Sequence, residues 1–202
     1  DLDGCREVVD VSSLSNIHTL CLSGCSLVSD VSALKSVHIL DLSYCSDIED
    51  VSALGRVHTL DLSCCHGITD ISALGKGTVH TLNLSRCSAI DDVSALGTVH
   101  TLNLSGMEGI SNVSSLGGVH SLNLAECDGV ADISALGNVH TLNLRSCQIE
   151  DVSALTAVHT LDLSDNQRVQ DVSALSACHT LSLFRCQRVQ HVHCLGELTS
   201  LC

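Results

Sequence analysis

Hydrophobic positions along this chain recur on a fixed grid. In the stretch from Val51 to Asp70, VSALGRVHTLDLSCCHGITD, apolar side chains fall at Val51, Leu54, Val57, Leu60, Leu62, Cys65 and Ile68, with mostly small or polar residues between them. The same pattern restarts at Val11, Val31, Ile71, Val93, Val113, Ile133, Val152 and Val172, giving nine copies over residues 11–191. Seven copies are 20 residues long; the Ile71 copy is longer by two, through Lys76-Gly77-Thr78, and the Ile133 copy is shorter by one, at Cys147-Gln148-Ile149. A fixed period in this range means a stacked architecture in which each unit contacts only its neighbours.

Within the unit, Thr59-Leu60-Asp61-Leu62-Ser63 alternates strictly, which predicts a short strand with Leu60 and Leu62 inward and Thr59, Asp61 and Ser63 outward. One such strand cannot bury its leucines alone. Stacked as a parallel sheet with strands about 4.8 Å apart, the copies share a continuous core. Asp50 ahead of Val51-Ser52-Ala53-Leu54 predicts a capped single turn of helix or 3₁₀-helix, with Leu54 and Val57 closing the other side of the core.

The spacing Val57-x-x-Leu60-x-Leu62-x-x-Cys65-x-x-Ile68 resembles a leucine-rich repeat, and the likeness runs through essentially the whole chain. Asp70–Leu74 resembles the short internalin-like repeat, although Ala73 stands where that family commonly has Pro. Leu60–Asp70 is similar to the cysteine-containing repeats of F-box-type proteins, without their longer helical segment. The resemblance implies an α/β solenoid: a right-handed superhelix with a parallel β-sheet on the concave face and short turns or 3₁₀ segments on the convex side. It implies a scaffold that binds another protein, but the fold serves many partners and names none.

Composition narrows this further. The chain reads as one solenoid domain over residues 1–202, with partial repeats at 1–10 and 192–202. It enters and leaves at the same strand position without polar caps, so we expect a fragment of a longer array, or ends that associate with each other. The net charge of −14 disfavours nucleic acid, and no apolar run is long enough to suggest a membrane span. Of 23 acids, 17 lie in residues 1–140, where there are 5 of the 9 bases, so the C-terminal part is relatively more basic.

Two columns stand out when the copies are overlaid. Cys5, Cys25, Cys45, Cys65, Cys87, Cys127, Cys147 and Cys186 share one position, with Met107 and Asn166 replacing cysteine in two copies. The resemblance places this column in a buried ladder that bonds loop backbone. Spacing alone permits disulfides between neighbours, but 13 cysteines is an odd count and a thiol-rich core suits a reducing, intracellular compartment. No C-x-x-C pair suggests zinc. The second column is His18, His38, His58, His80, His100, His120, His140, His159 and His179, a stripe ahead of each strand. It reads as a solvated or backbone-bonded flank, as a pH-responsive surface, or as a row of metal-bridging imidazoles.

The sheet face is small and polar: a Thr column, an Asp/Asn column and a column that is mostly Ser. Variation gathers on the turn leaving each strand, where Tyr44, Arg86 and Glu126 occupy the position before the cysteine column. Phe184, Arg185, Arg188, Arg168 and Arg145 concentrate an aromatic ring and four guanidinium groups in neighbouring repeats. Aromatic and Arg side chains dominate interface energies, so these eight residues are the candidate docking surface. Ser, His and Asp recur in every unit and could not mark one catalytic site, and no phosphate-binding glycine motif occurs. The expectation is a non-enzymatic module without cofactor or metal; a structural spacer within a larger protein is the competing reading.

Overall fold

The computed structural model describes residues 1–190, 192–196 and 198–201, with Cys194 and Leu201 by backbone only. Among them, ten short strands form one parallel sheet in chain order. They are β1 Thr19–Cys21, β2 Ile39–Asp41, β3 Thr59–Asp61, β4 Thr81–Asn83, β5 Thr101–Asn103, β6 Ser121–Asn123, β7 Thr141–Asn143, β8 Thr160–Asp162, β9 Thr180–Ser182 and β10 Ser200–Leu201. The register is the repeat's own: Leu40 faces Leu60, Leu60 faces Leu82, and Leu82 faces Leu102. The 22- and 19-residue copies leave it unchanged, since Leu142 still pairs with Leu161.

The strands are shorter than the alternation predicts, for a local reason. The carboxylate of Asp61 accepts the Ser63 amide at 2.8 Å and its hydroxyl at 2.6 Å, which turns the chain just after Asp61. Asp41, Asn83, Asn103, Asn123, Asn143 and Asp162 take the amide two residues on in the same way. Ser43, Ser63 and Ser164 consequently lie buried in the turn instead of facing out. The Asp/Asn column of the sheet face therefore ends the strands as well as lining the surface.

Opposite the sheet, short 3₁₀ turns such as Ser52–Arg56 and Ser94–Thr98 close most coils; in the longest copy a single α-turn, α1 Ser72–Gly75, takes that place. The expected cap is present. Oδ1 of Asp50 accepts the Ser52 amide at 2.8 Å, and Asp10, Asp30, Asp70, Asp92, Asn112, Asp132, Asp151 and Asp171 do the same in their copies. Between sheet and turns, Val51, Leu54, Val57, Leu60, Leu62, Cys65 and Ile68 are each at most 1% exposed, and the equivalent residues of the other copies continue that core.

The cysteine column is a hydrogen-bonded ladder. From Cys25 onward each thiol donates to a backbone carbonyl of the preceding coil: Cys45 to Leu22, Cys65 to Leu42, Cys87 to Leu62 and Cys127 to Leu104, at 3.1–3.2 Å. Desolvation pushes the Cys45 and Cys147 thiols up to about 12 and those of Cys87 and Cys127 to about 11, so they stay protonated donors. All eleven cysteines described with side chains are unpaired. Titration of the denatured protein with a thiol reagent, without reductant, should find nearly all 13 cysteines of the sequence free; recovery of several disulfides would overturn the ladder.

Candidate binding surfaces

The variable column before each cysteine is set by backbone geometry. Tyr44, Cys64, Arg86, Glu126, Ser146, Asp165 and Arg185 all have φ between 57° and 65°, and Gly4, Gly24 and Gly106 share the conformation. Left-handed backbone here turns the chain out of the strand and projects the side chain from the rim. A β-branched residue would be strained in it, and none occupies the column. The column therefore varies in chemistry under a fixed conformational constraint.

Along this rim the predicted residues separate into groups. Arg145 lies 3.0 Å from Asp165, and Arg185 contacts the same carboxylate at 3.5 Å. The Arg185 guanidinium stands 5.0 Å from the centre of the Phe184 ring, and that ring is 53% exposed. Arg145, Asp165, Phe184 and Arg185 thus form one connected surface across three coils. Arg188 is exposed on the exit turn that follows. Arg168 lines a separate groove with Glu150, Asp151, Gln170 and Asp171. Further along, Arg86 reaches Glu126 at 3.9 Å over Gly106, where a Cβ would come within 2.9 Å of the Arg86 Cγ. Tyr44, 62% exposed, projects from a coil nearer the N-terminus, apart from both groups.

The histidine column is a continuous stack. Successive rings from His18 to His179 have centroids 4.1–4.9 Å apart and planes within 26° of parallel. Backbone bonding fixes this spacing: the carbonyl of His38 accepts both the His58 amide, at 3.1 Å, and the Thr59 amide, at 3.0 Å, and the pattern repeats along the sheet. Side chains anchor it further, with Nδ1 of His58, His80, His100 and His159 each 3.3 Å from the hydroxyl of the following Thr. Parallel rings direct their nitrogens side by side and not toward a common point. Among the described residues, no three His, Cys, Asp or Glu side chains are grouped to hold a metal ion.

Desolvation within the stack, followed by repulsion from His80 and His120, holds His100 below the ordinary imidazole value; desolvation, then His179 and His140, do the same for His159. Since their folded values are depressed, the unfolded chain binds protons more readily as pH falls through about 6.5. Stability is then lost from that point down to the folded values. The capping carboxyls of Asp10, Asp70, Asp92, Asp132 and Asp151 are held low chiefly by the following serine amide, and those of Asp30 and Asp50 chiefly by its hydroxyl. Their contribution is lost only as pH falls below the unfolded carboxyl value of about 3.9, so a melting series from about pH 8 to 5 isolates the histidines. We expect the melting temperature to fall across that range, and less steeply in a His100→Gln, His159→Gln variant. Equal slopes would remove the stack from the account.

The repeat geometry can now be set beside known proteins. A family model described as "Leucine Rich repeat" matches residues 57–74 and 138–156. Similar solved structures include an internalin (InlF) from Listeria monocytogenes, at 18% identity and TM-score 0.64, over 96% of this chain and 70% of that one. Internalin C2 from the same organism matches at 25% identity and TM-score 0.65, over 84% of this chain and 80% of that one. The fold is a leucine-rich repeat solenoid, and its repeats are similar to those of internalins. The functional domain of L. monocytogenes InlJ, described as including a cysteine ladder, shares the fold at 15% identity and TM-score 0.53, over 96% of this chain and 55% of that one. No curated protein sequence matches the solenoid. Among the described residues, no helix is long and apolar enough to cross a membrane.

Proposed function

We propose that this leucine-rich repeat solenoid is a non-catalytic scaffold that binds another protein through the rim around Phe184 and Arg185. The observation that carries the reading is the prearranged cluster itself. Asp165 holds Arg145 and Arg185 in place, and Arg185 in turn lies against the exposed Phe184 ring. Little side-chain entropy remains to be lost when a partner covers such a group, which favours affinity. Two guanidinium groups share one carboxylate, and the exposed Arg188 adds a third cation, so the patch is net positive on an acidic solenoid and suits an acidic protein segment. A nucleic acid would have to run on along the acid-rich coils, where the charge opposes it. Free thiols in the core fit a reducing, intracellular setting. Tyr44, Arg86 and Glu126 supply the next candidate contacts along the rim, and Arg168 flanks it.

The test is a pull-down from the native source, comparing wild type with a Phe184→Ser, Arg185→Ser, Arg188→Ser variant of unchanged melting temperature. The expected result is loss of at least one partner, whose capture by wild type weakens with added salt. Identical partner lists from the two baits would send the search toward Tyr44, Arg86 and Glu126.

A further inference from the structure

A second charged surface lies on the turn side, away from the rim. The residues between the turn leucine and the Val-His pair, two in most copies and four in the longest, include Lys35, Arg56 and Lys76 in three consecutive copies. At the same place the next five copies carry only uncharged residues: Gly97-Thr98, Gly117-Gly118, Gly137-Asn138, Thr156-Ala157 and Ser176-Ala177. Three of the five cations in residues 1–140 therefore sit in the same short connector of successive copies, Arg56 and Lys76 at one offset and Lys35 one residue earlier.

The structure brings them to one groove of about 600 Å³, which Ser36 and Ser52 also line and to which no carboxylate contributes. All three cations are exposed. The ion pairs of the described residues involve Arg86, Arg145 and Arg185 instead. Outside the lining, Asp70 exerts a favourable field on Lys76 and Asp50 accepts the Ser52 amide at 2.8 Å, so three cations face two nearby carboxylates and the groove keeps a positive excess.

Its floor is built from closely packed backbone. The two extra residues of the longest copy bring Gly77 onto Gly55: the Thr78 amide donates to the Gly55 carbonyl at 2.7 Å, and a Cβ on Gly77 would overlap that oxygen. A Cβ on Gly55 would in turn lie 2.7 Å from the Ala73 carbonyl oxygen. Glycine at both positions lets the coils close up beneath the cations.

We infer that this groove binds an anion carrying two or more phosphoryl groups, held by Lys35, Arg56 and Lys76 together. Coils repeat about every 4.8 Å, so the three cations are spread over roughly two such steps. A single phosphate spans one adjacent pair, whereas linked phosphoryl groups reach all three. Arg56 supplies the planar fork that pairs with two phosphate oxygens, and the lysines act as point charges on either side. At about 0.15 M salt the screening length is about 8 Å, so beyond the nearby Asp50 and Asp70 the acidic remainder of the solenoid is largely screened from this groove.

Tripolyphosphate is a suitable probe, measured by calorimetry at physiological salt. Wild type should bind it, and a Lys35→Gln, Arg56→Gln, Lys76→Gln variant should bind at least roughly tenfold more weakly. An Arg185→Gln, Arg188→Gln variant, altered only at the rim, should match wild type, and unchanged melting temperatures would show all three folded. Co-sedimentation with neutral vesicles, with and without a lipid bearing a multiply phosphorylated head group, separates the two sources of this chemistry. Tripolyphosphate binding without co-sedimentation assigns a soluble ligand; both together assign the head group. No binding by wild type, or equal binding by the triple variant of this groove, overturns the inference.

Discussion

Replacing Leu102 by Ala should cost about 2–5 kcal/mol in urea denaturation, the range for deleting a fully buried leucine whose cavity cannot collapse. Leu102 is 1% exposed and pairs with Leu82 on one side and Leu122 on the other, so its side chain belongs to two interfaces at once. The backbone ladder clamps both flanking strands, which limits how far they can move into the void. A solenoid is stabilised by nearest-neighbour interfaces, so a defect at β5 weakens coupling between the two halves of the array. The unfolding transition should therefore also broaden, with a smaller slope against urea. The neighbouring Thr101→Ala should stay within about 1 kcal/mol of wild type, since it deletes one partly exposed hydroxyl at 3.3 Å from His100. Similar losses from the two substitutions would contradict the burial pattern.

The contrast between these neighbours was legible in the sequence because alternation and a fixed period assign each leucine to the core. Strand order, the aspartate cap, the thiol column and the histidine stripe were legible for the same reason: ninefold repetition averages away local ambiguity. Three features were not. The end of most strands depends on an Asp or Asn side chain folding back onto the amide two residues on, as Asp61 does onto Ser63, which alternation alone does not reveal. The rim column was visible as variable, yet its left-handed backbone was hidden because only Gly4, Gly24 and Gly106 signal it and seven other residues adopt it without glycine. The groove at Lys35, Arg56 and Lys76 had a signal, cations in the same connector of successive copies, but Lys35 stands one residue before the offset that Arg56 and Lys76 share, so simple alignment hides it. For the docking surface, sequence adjacency grouped the arginines, whereas Asp165 decides which of them meet.

Asn166 is the clearest case of a substitution whose reason lies outside its own repeat. It stands in the cysteine column of the copy after the 19-residue one, with a fully buried side chain. Its Nδ2 donates to the carbonyls of Leu144, at 2.7 Å, and Leu163, at 2.9 Å, and its Oδ1 accepts the Ile149 amide at 2.9 Å. In most other copies the equivalent amide bonds within its own turn, as Val28 does to Cys25 and Val130 to Cys127. Deleting one residue puts Gln148 at a φ of 58° and turns the Ile149 amide toward the next coil. A thiol can donate to Leu144 but is a weak acceptor, so cysteine there would leave Ile149 without an adequate partner. Asn166→Cys should thus cost about 1–3 kcal/mol, the desolvation penalty of one unsatisfied buried amide. Asn166→Ala should cost more, because it also removes both donated bonds and leaves a cavity. Inserting one residue between Cys147 and Gln148 should restore most of the stability of Asn166→Cys, and should not stabilise the Asn166 protein to the same extent. A double-mutant cycle from urea melts measures that coupling; zero coupling would mean that Asn166 and the shortened repeat are independent.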